Sequence, residues 1–225
     1  MRRFVIFLLC SCVMAPSVFA QTKSALESDG SGWTNLLADK SLKDWTRTPL
    51  GANPIVRAGL MSDPSPWKLD PSGEILICDG KNAGHELLRY APELKDFVVH
   101  VEYRHVPVEG ETRYNSGVYV RTNMDGTVWH QAQATLSGGF LMMNTLVKGV
   151  TQRVNLQKVM KENRVKPAGE WNVYEIRAVG KQITLWVNGA VTSEFNDCEV
   201  LGGYLGLEAE GYGVEFRNVQ LKRLP

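Results

Sequence analysis

Residues 183–195 read Ile-Thr-Leu-Trp-Val-Asn-Gly-Ala-Val-Thr-Ser-Glu-Phe, which is two runs of strand-forming residues around an Asn-Gly pair. Asn188-Gly189 supplies the positive φ that both central positions of a two-residue type I′ turn require. The segment is therefore predicted to be a β-hairpin with strands over Ile183–Val187 and Ala190–Phe195. This hairpin sets the expectation of an antiparallel β protein.

The period-two alternation that marks half-buried strands recurs along the chain. It is found in residues 97–104, 115–121 and 204–210, and further candidates are Ile75–Cys78, Tyr174–Val179 and Val214–Leu221. Helical spacing is confined to residues 155–164, which predict one short helix or a loop, and the proline-rich residues 53–71 predict a surface loop. Many strands without strand–helix alternation predict an all-β, antiparallel, two-sheet sandwich.

Charge and composition exclude several classes of protein. The 225 residues carry 25 Lys and Arg against 24 Asp and Glu, a net charge of +1, and 44% hydrophobic residues. A strongly basic nucleic-acid-binding protein and a disordered chain are both excluded by these values. Charge alone names no partner.

The N-terminal residues resemble a secretory signal peptide. Arg2 and Arg3 precede an apolar run that ends before Ala20, so residues 1–20 are predicted to be removed and the protein to be secreted or periplasmic. A lipid anchor at Cys12 is the less favoured alternative. No later segment is long and apolar enough to predict a transmembrane helix.

After the signal peptide, the polar residues 21–32 predict a flexible leader, and residues 33–225 predict one domain. Two cysteines remain, Cys78 and Cys198, which are too few for a disulfide framework. They either pair with each other or are both buried as small hydrophobic side chains.

Several catalytic signatures are absent. The chain has no G-x-S-x-G elbow, no phosphate-binding G-x-x-x-x-G-K-[ST] loop and no C-x-x-C pair, and His85-Glu86-Leu87-Leu88-Arg89 lacks the second histidine of a zinc-protease helix. No two of the four histidines have ligand spacing. No cofactor is predicted, and a divalent metal is left open.

Three rows of polar side chains share strand parity. If no bulge intervenes, each row lies on one side of its strand. The rows are Asn115, Tyr119 and Arg121; Trp129, Gln131 and Gln133; and Glu208 and Glu210. Neutral amides beside an aromatic ring suit the binding of sugar hydroxyls, and an ordinary solvated sheet face is the alternative.

The histidines are placed by the same reasoning. His130 has the opposite parity to Gln131, so a regular strand buries it and only a bulge would bring it to the sugar. His85 follows a glycine-flanked stretch and is expected either at the rim of the site or on a surface loop. His100 and His105 are assigned to an exposed strand face and its end.

A set of motifs, in order, resembles the 3-keto-disaccharide hydrolase domain family. The motifs are Leu36-Leu37-Ala38-Asp39-Lys40-Ser41-Leu42-Lys43-Asp44-Trp45, residues 115–121, residues 129–133, residues 166–172, Val187-Asn188-Gly189, residues 203–207 and Phe216-Arg217-Asn218-Val219. The resemblance covers nearly all of residues 33–225. It implies a jelly-roll sandwich of the concanavalin A-like lectin/glucanase type and activity on 3-keto-glycosides, with carbohydrate as the partner.

The chemistry that the resemblance implies starts from the ketone at C3, which acidifies the C2 proton. A base removes this proton, the glycosidic oxygen leaves C1 by β-elimination, and water then adds to the enone. Such a site requires a base near C2 and hydrogen-bond donors at the developing enolate. The E-x-D-x-x-E pattern, with which retaining glucanases of this sandwich place two carboxylates on one strand, is absent.

The sequence departs from the family pattern at two places. The family has a carboxylate where this chain has Gln131, and a Gln-x-His where it has Glu208-Ala209-Glu210. Because an amide cannot act as a base, Glu208 and Glu210 are the acid/base candidates if activity survives. Two carboxylates on one strand face raise each other's pKa when they are close.

The predicted catalytic residues are therefore Glu208, Glu210 and Arg121, with Arg121 and Asn115 as donors. The predicted sugar-contacting residues are Asn115, Tyr119, Trp129, His130, Gln131 and Gln133. The alternative function is a non-catalytic carbohydrate-binding module on the same scaffold. An enzyme requires a carboxylate and Arg121 to converge in one pocket, whereas a binding module requires only an aromatic platform and amides.

Overall fold

The computed structural model describes residues 21–50, 61, 63–80 and 83–225. The predicted signal peptide and Cys12 lie outside these residues, as does part of the predicted proline-rich loop. The regular secondary structure of the described residues is almost wholly β-strand, as the alternation predicts. None of its helices is long and apolar enough to cross a membrane.

Fifteen strands and two short helices form the described part of the chain. The first strands are β1 Thr34–Asn35, β2 Trp45–Pro49, β3 Trp67–Leu69, β4 Ile75–Cys78, β5 His85–Tyr90, β6 Phe97–His105, β7 Gly117–Thr122 and β8 Trp129–Gln133. They are followed by β9 Phe140–Val147, β10 Val150–Asn155, β11 Asn172–Val179, β12 Gln182–Val187, β13 Ala190–Phe195, β14 Tyr204–Glu210 and β15 Val214–Arg223. The helices are α1, Ala25–Ser28, and a single 3-10 turn, Gln157–Val159.

The described strands form two antiparallel sheets. The first sheet has the order β13-β12-β11-β6-β15-β4-β3, with β1 added beside β15, and the second has the order β10-β9-β8-β7-β14-β5-β2. Strands distant in sequence are neighbours in both sheets, as in a jelly roll. This architecture confirms the predicted all-β two-sheet sandwich.

The core lies between the sheets and is continuous. Alternate side chains point into it from both sides, so Val99, Val101 and Tyr103 of β6 face Leu205 and Leu207 of β14 in one buried apolar cluster. The opposite parity of each strand points outward. The outward parity of the second sheet carries the polar rows that the sequence singled out.

The hairpin prediction is confirmed. Asn188 and Gly189 have φ values of 44° and 108°, and Val187 pairs with Ala190 across the turn. Within the range predicted as a surface loop, Trp67–Leu69 form an edge strand, which is where a sheet tolerates neighbouring prolines. Residues 157–159 form only a 3-10 turn.

Residues 21–33, here called the N-terminal strap, differ from the predicted flexible leader. Thr22 N–H donates to Gly189 O at 2.7 Å, and Ser24, 1% exposed, begins α1 with a capping box. The N–H groups of Ala25 and Leu26 donate to the Glu175 carboxylate of β11. The polar composition of this segment predicts mobility. Composition cannot show that the buried Glu175 carboxylate on the sheet binds the backbone of the strap.

Cys78 and Cys198 are both buried free thiols, which decides between the two alternatives left open by the sequence. Cys198 Sγ donates to Val200 O at 3.3 Å. Burial raises the pKa of the Cys78 thiol to about 12, so it remains protonated and behaves as a small hydrophobic side chain.

Candidate functional site

The candidate site lies on the outward face of the second sheet, around two glutamates of β14. Leu205, Leu207 and Ala209 are fully buried in the core, so Glu208 and Glu210 point outward together, as their parity predicts. The neighbours of β14 are β5 on one side and β7 on the other. Both neighbours contribute side chains to the site.

Glu208 is held by three side-chain donors from three different strands. His85 Nε2 lies 2.9 Å from Oε1, Tyr119 donates its hydroxyl to the same oxygen at 2.8 Å, and Gln131 Nε2 donates to Oε2 at 2.6 Å. Glu208 itself is 1% exposed. With both oxygens bonded and no solvent access, this carboxylate is fixed in place and is poorly placed to take a proton from a substrate.

A glycine makes the contact between Gln131 and Glu208 possible. Gly117 pairs with Gln133 on β8 and lies between the two side chains. A Cβ at this position would come within 2.5 Å of Gln131 Nε2 and 2.9 Å of Glu208 Oε2. Only a residue without a side chain therefore allows the amide to reach the carboxylate across β7.

Glu210 is in a different state. Its side chain is 24% exposed, its Oε2 lies 3.8 Å from His85 Nε2, and Asn115 Nδ2 donates to the same oxygen. Burial and the charge of Glu208 raise the pKa of Glu210 to about 7, against the opposing effects of His85 and Asn115. Glu210 is thus an accessible carboxyl group that gains and loses a proton near neutral pH.

His85 carries positive charge into this acidic pair. Burial alone would lower the pKa of His85, but its hydrogen bond to Glu208 and the charges of Glu208 and Glu210 raise it overall. Burial and the charge of Glu208 raise the pKa of Tyr119 well above its ordinary value, so the phenol stays a donor. These pKa shifts favour the protonated forms of His85 and Tyr119, beside one carboxyl, Glu210, that titrates near neutral pH.

An apolar wall borders the charged groups. Leu50, Leu87 and Tyr119 form a small buried cluster against which Trp129 packs. The Trp129 ring also meets His85 edge-on, with 6.0 Å between ring centroids, and donates Nε1–H to Gly126 O at 2.7 Å. This wall limits water access to the cluster and strengthens its electrostatic interactions.

The prediction for Arg121 is wrong. Its φ of 49° and the shift in register between β7 and β14 mark a bulge, which breaks the alternation that placed Arg121 beside Tyr119. The guanidinium is 0% exposed and is bonded to Asp96 at 2.9 Å and to three backbone carbonyls, Lys95 O, Gly180 O and Val200 O. Arg121 ties loops together away from the glutamates.

The inclusion of His130 among the sugar-contacting residues is also wrong. The strand is regular at His130, which is therefore buried on the core side and bonded to Thr145 Oγ1 at 2.8 Å. Burial lowers the pKa of His130 to about 4. It is a neutral core histidine.

The other predicted residues are brought together. Asn115, Tyr119 and Gln131 contact the glutamates directly, and Trp129 borders them. Gln133, 6% exposed, lies on the same face and lines a cavity of about 400 Å³ together with Asn115.

His85 is the residue that sequence reasoning placed least well. The preceding glycines suggested a rim or a loop, whereas His85 is the first residue of β5 and pairs with Glu210. The signal that could have located it is the run His85–Tyr90, whose first, third and fifth residues share one strand face. On that face, His85 is adjacent to Leu87 of the apolar wall.

The cluster also satisfies the first requirement of a metal site. His85, Glu208 and Glu210 each offer a ligand atom, and these atoms all lie within 4.8 Å of one another. An imidazole nitrogen and two carboxylates form a donor set that suits divalent cations such as Zn²⁺ or Mn²⁺. The histidines were not expected to contribute to such a site because the second and third ligands come from another strand.

Comparison with known families gives one match along the chain. The model of the 3-keto-alpha-glucoside-1,2-lyase-like domain matches residues 32–222. No curated protein matches the chain significantly.

Several solved structures similar to this chain are described as carbohydrate-related proteins. A candidate glycosyl hydrolase from Parabacteroides distasonis aligns over 91% of this chain and 100% of its own, with 15% identity and a TM-score of 0.58. A β-glucanase from Bacillus licheniformis covers 87% and 100%, with 14% identity and a TM-score of 0.52. The carbohydrate-binding module CBM66 from Bacillus subtilis covers 85% and 95%, with 13% identity and a TM-score of 0.53. At these identities the likeness supports the fold alone.

Proposed function

This chain belongs to the family of 3-keto-alpha-glucoside-1,2-lyase-like domains, and we propose that it cleaves 3-keto-glycosides by β-elimination, with Glu210 as the proton-transferring group. The observation that carries the proposal is the state of Glu210. It is the partly exposed carboxyl of the cluster, and its pKa of about 7 suits a group that must both accept and return a proton.

One carboxyl group is sufficient for the proton transfers. Glu210 as carboxylate takes the C2 proton, the electron pair of that bond forms the C1–C2 double bond, and the C1–O bond breaks. The resulting glutamic acid returns the proton to the leaving oxygen. In the hydration step, Glu210 takes a proton from water as the oxygen adds to C1, and the proton is delivered to C2.

The neighbours of Glu210 have supporting roles in this proposal. Positive charge on His85 favours the enolate that develops on the C3 oxygen, and Asn115 is the amide donor beside Glu210. Glu208 is a positioning residue because its two oxygens are occupied by His85, Tyr119 and Gln131. Its charge keeps the pKa of Glu210 high.

The proposal replaces Arg121 with His85 as the cation of the site. A convergent carboxylate and cation favour an enzyme over a binding module, since a module requires only a stacking surface and amides.

The test uses a 3-keto-disaccharide and the unoxidised disaccharide, with and without added divalent cations, in D₂O. We expect cleavage of the keto-sugar only, with deuterium at C2 of the product above the level exchanged without protein. Cleavage of both sugars without C2 label would indicate ordinary glycoside hydrolysis. Binding of both without cleavage would indicate the carbohydrate-binding module.

The proposal includes export of the protein. Arg2 and Arg3 before an apolar run that ends before Ala20 support a signal peptide. We expect N-terminal sequencing of the exported protein to begin at Gln21. An acylated Cys12 would instead indicate a membrane-anchored protein.

A further inference from the structure

The polar cavity lined by Asn115 and Gln133 lies next to the glutamate cluster. It has a volume of about 400 Å³ and is formed by residues 112–115, which precede β7, together with Gln133 and residues 135–137. Asn115 joins the two regions, because it lines the cavity and donates its amide to Glu210. A sugar attached to the one that reacts at Glu210 would therefore extend into this cavity.

The walls of the cavity suit a hydroxylated ligand. Thr112, Thr135 and Ser137 contribute hydroxyl groups. Asn115 Oδ1 is buried and has no hydrogen-bond partner among the described residues. The side chain of Gln133 lines the same cavity. Buried polar groups are normally paired, so the unpartnered Asn115 Oδ1 indicates a ligand or water as its partner.

The only formal charge on these walls, among the described residues, is Arg113. Its side chain is 85% exposed, and its Nε lies 3.6 Å from Glu111 Oε1. That oxygen already accepts the backbone N–H groups of Thr112 and Arg113, at 2.8 and 2.6 Å. The loose pair leaves the two terminal nitrogens of the guanidinium available to a ligand.

We propose that this cavity binds the leaving-group sugar and that Arg113 selects leaving groups that bear a carboxylate. This inference rests on the proposed function. Glu208 and Glu210 would repel an anionic leaving group if no cation offset their charge. A guanidinium binds a carboxylate through two parallel hydrogen bonds, and the hydroxyls of Thr112, Thr135 and Ser137 in the same cavity suit the rest of a sugar ring. The substrate class is a 3-keto-glycoside linked to a hexuronic acid.

The test compares two substrates with the same 3-keto-sugar, one linked to a hexuronic acid and one linked to the matching neutral hexose. Arg113→Gln should raise KM for the uronate substrate about five-fold or more and leave kcat unchanged. The neutral substrate should be unaffected, and Arg113→Lys should restore part of the loss. Arg177→Gln, an exposed arginine on the other sheet, is the matched control and should change neither substrate.

Equal effects of Arg113→Gln on both substrates, or no effect on either, would overturn the inference. If the wild type cleaves neither substrate, the proposed function fails. Calorimetric titration with the two unoxidised disaccharides then decides the inference by itself. Tighter binding of the uronate, abolished in Arg113→Gln, supports it; equal binding or none overturns it.

Discussion

The cluster at His85 on the second sheet has a near copy at His100 on the first sheet. His100 is 3% exposed, with its Nδ1 3.0 Å from Glu175 and its Nε2 3.8 Å from Glu102. The two corresponding distances around His85 are 2.9 and 3.8 Å. Each cluster contains one histidine and two glutamates at nearly equal distances. The clusters differ in the hydrogen-bond donors and cations that surround each glutamate.

The acids around His100 are fully paired. Glu102 accepts from Arg217 at 2.7 Å and from Asn218 at 3.0 Å, and Glu175 accepts two backbone N–H groups of the N-terminal strap. The nearby imidazole of His100, with the hydrogen bonds from Asn218 and Arg217, lowers the pKa of Glu102 to about 2 despite burial. Burial alone would raise the pKa of Glu175, but its hydrogen bonds to His100 and the strap lower it.

The acids around His85 lack such partners. Among the described residues, neither Glu208 nor Glu210 accepts from an arginine or from a backbone N–H group. One carboxyl therefore remains hard to ionise, and the pKa of Glu210 rises to about 7. The comparison indicates that the first-sheet cluster is structural, whereas the second-sheet cluster keeps a titrating group for chemistry.

Matched Glu→Gln substitutions in the two clusters should give the largest difference. Glu210→Gln should lower turnover of a 3-keto-disaccharide by about 100-fold or more, the scale for removal of a general base. Glu102→Gln should leave turnover unchanged but lower the free energy of unfolding by about 1–3 kcal/mol, since the carboxylate loses its charged hydrogen bonds to Arg217 and Asn218. Steady-state kinetics and urea unfolding measure the two effects.

The two variants act as controls for each other. If Glu210→Gln keeps wild-type turnover, Glu210 is not the base. If Glu102→Gln loses as much turnover as Glu210→Gln while remaining folded, the division between a structural and a reactive cluster is wrong.

The pair Gln131 and Glu208 permits an exchange experiment. The family resemblance places the carboxylate at position 131 and the amide at position 208, the reverse of this chain, and the two side chains are bonded at 2.6 Å. Gln131→Glu places two carboxylates in contact and Glu208→Gln leaves two amides, so each should lower turnover by about ten-fold. The double exchange restores one of each and should recover most of the loss. Equal losses in the double and single variants would contradict this.

The pH dependence of turnover should move with the charge of Glu208. The proton-accepting step requires ionised Glu210, so turnover should rise with pH through about 7. Glu208→Gln removes a nearby like charge, lowers the pKa of Glu210 and should move the rising limb by about one unit to lower pH. Gln220→Glu on the first sheet, far from Glu210, should leave the limb in place. A limb that does not move in Glu208→Gln would show that another group controls the profile.

Acid should destabilise the protein through the first-sheet cluster. The pKa of Glu102 is about 2 in the folded protein against 4.5 ordinarily. A depressed folded pKa contributes stability that is present above about 4.5 and is lost as pH falls toward 2. The melting temperature of the wild type should fall over that window, and Glu102→Gln should fall less. Parallel curves for the two proteins would contradict the assignment.

Alternation predicted the fold and much of the site because it depends only on strand parity. Tyr119, Gln131, Glu208 and Glu210 share the outward face of the second sheet as predicted. Parity fails wherever one extra residue enters a strand, and the bulge at Arg121 leaves no mark in the residue types. The one extra residue in β7 turns Arg121, the predicted cation of the site, away from the glutamates.

The two central histidines show a second limit of sequence reasoning. Parity predicts an exposed face for His100, and His100 does lie on the outward face, but it is 3% exposed. It bonds to Glu175, which also accepts the backbone N–H groups of the N-terminal strap. The glycine-flanked stretch before His85 predicts a rim or a loop, whereas His85 is the first residue of β5. Both outcomes depend on contacts between segments far apart in sequence, which strand periodicity does not contain.

The smallest expected effect concerns the turn that holds the strap over the first sheet. Gly189 has a φ of 108°, accepts the Thr22 N–H and would place a Cβ 2.5 Å from Gln21 Cγ. Gly189→Val should therefore lower the free energy of unfolding by about 1 kcal/mol or more, because a β-branched residue is strained at positive φ. The melting temperature should fall by about 2–4 °C per kcal/mol for a chain of this length.

The same substitution should leave turnover unchanged, since the glutamate cluster lies on the other sheet. Gly30→Val is the matched control, because Gly30 has no positive φ and a Cβ there would meet no atom within 4 Å. An unchanged melting temperature in Gly189→Val would contradict the strained turn. A loss of turnover at full folding would show that the strap side of the first sheet is coupled to the site, and the two clusters would then not be independent.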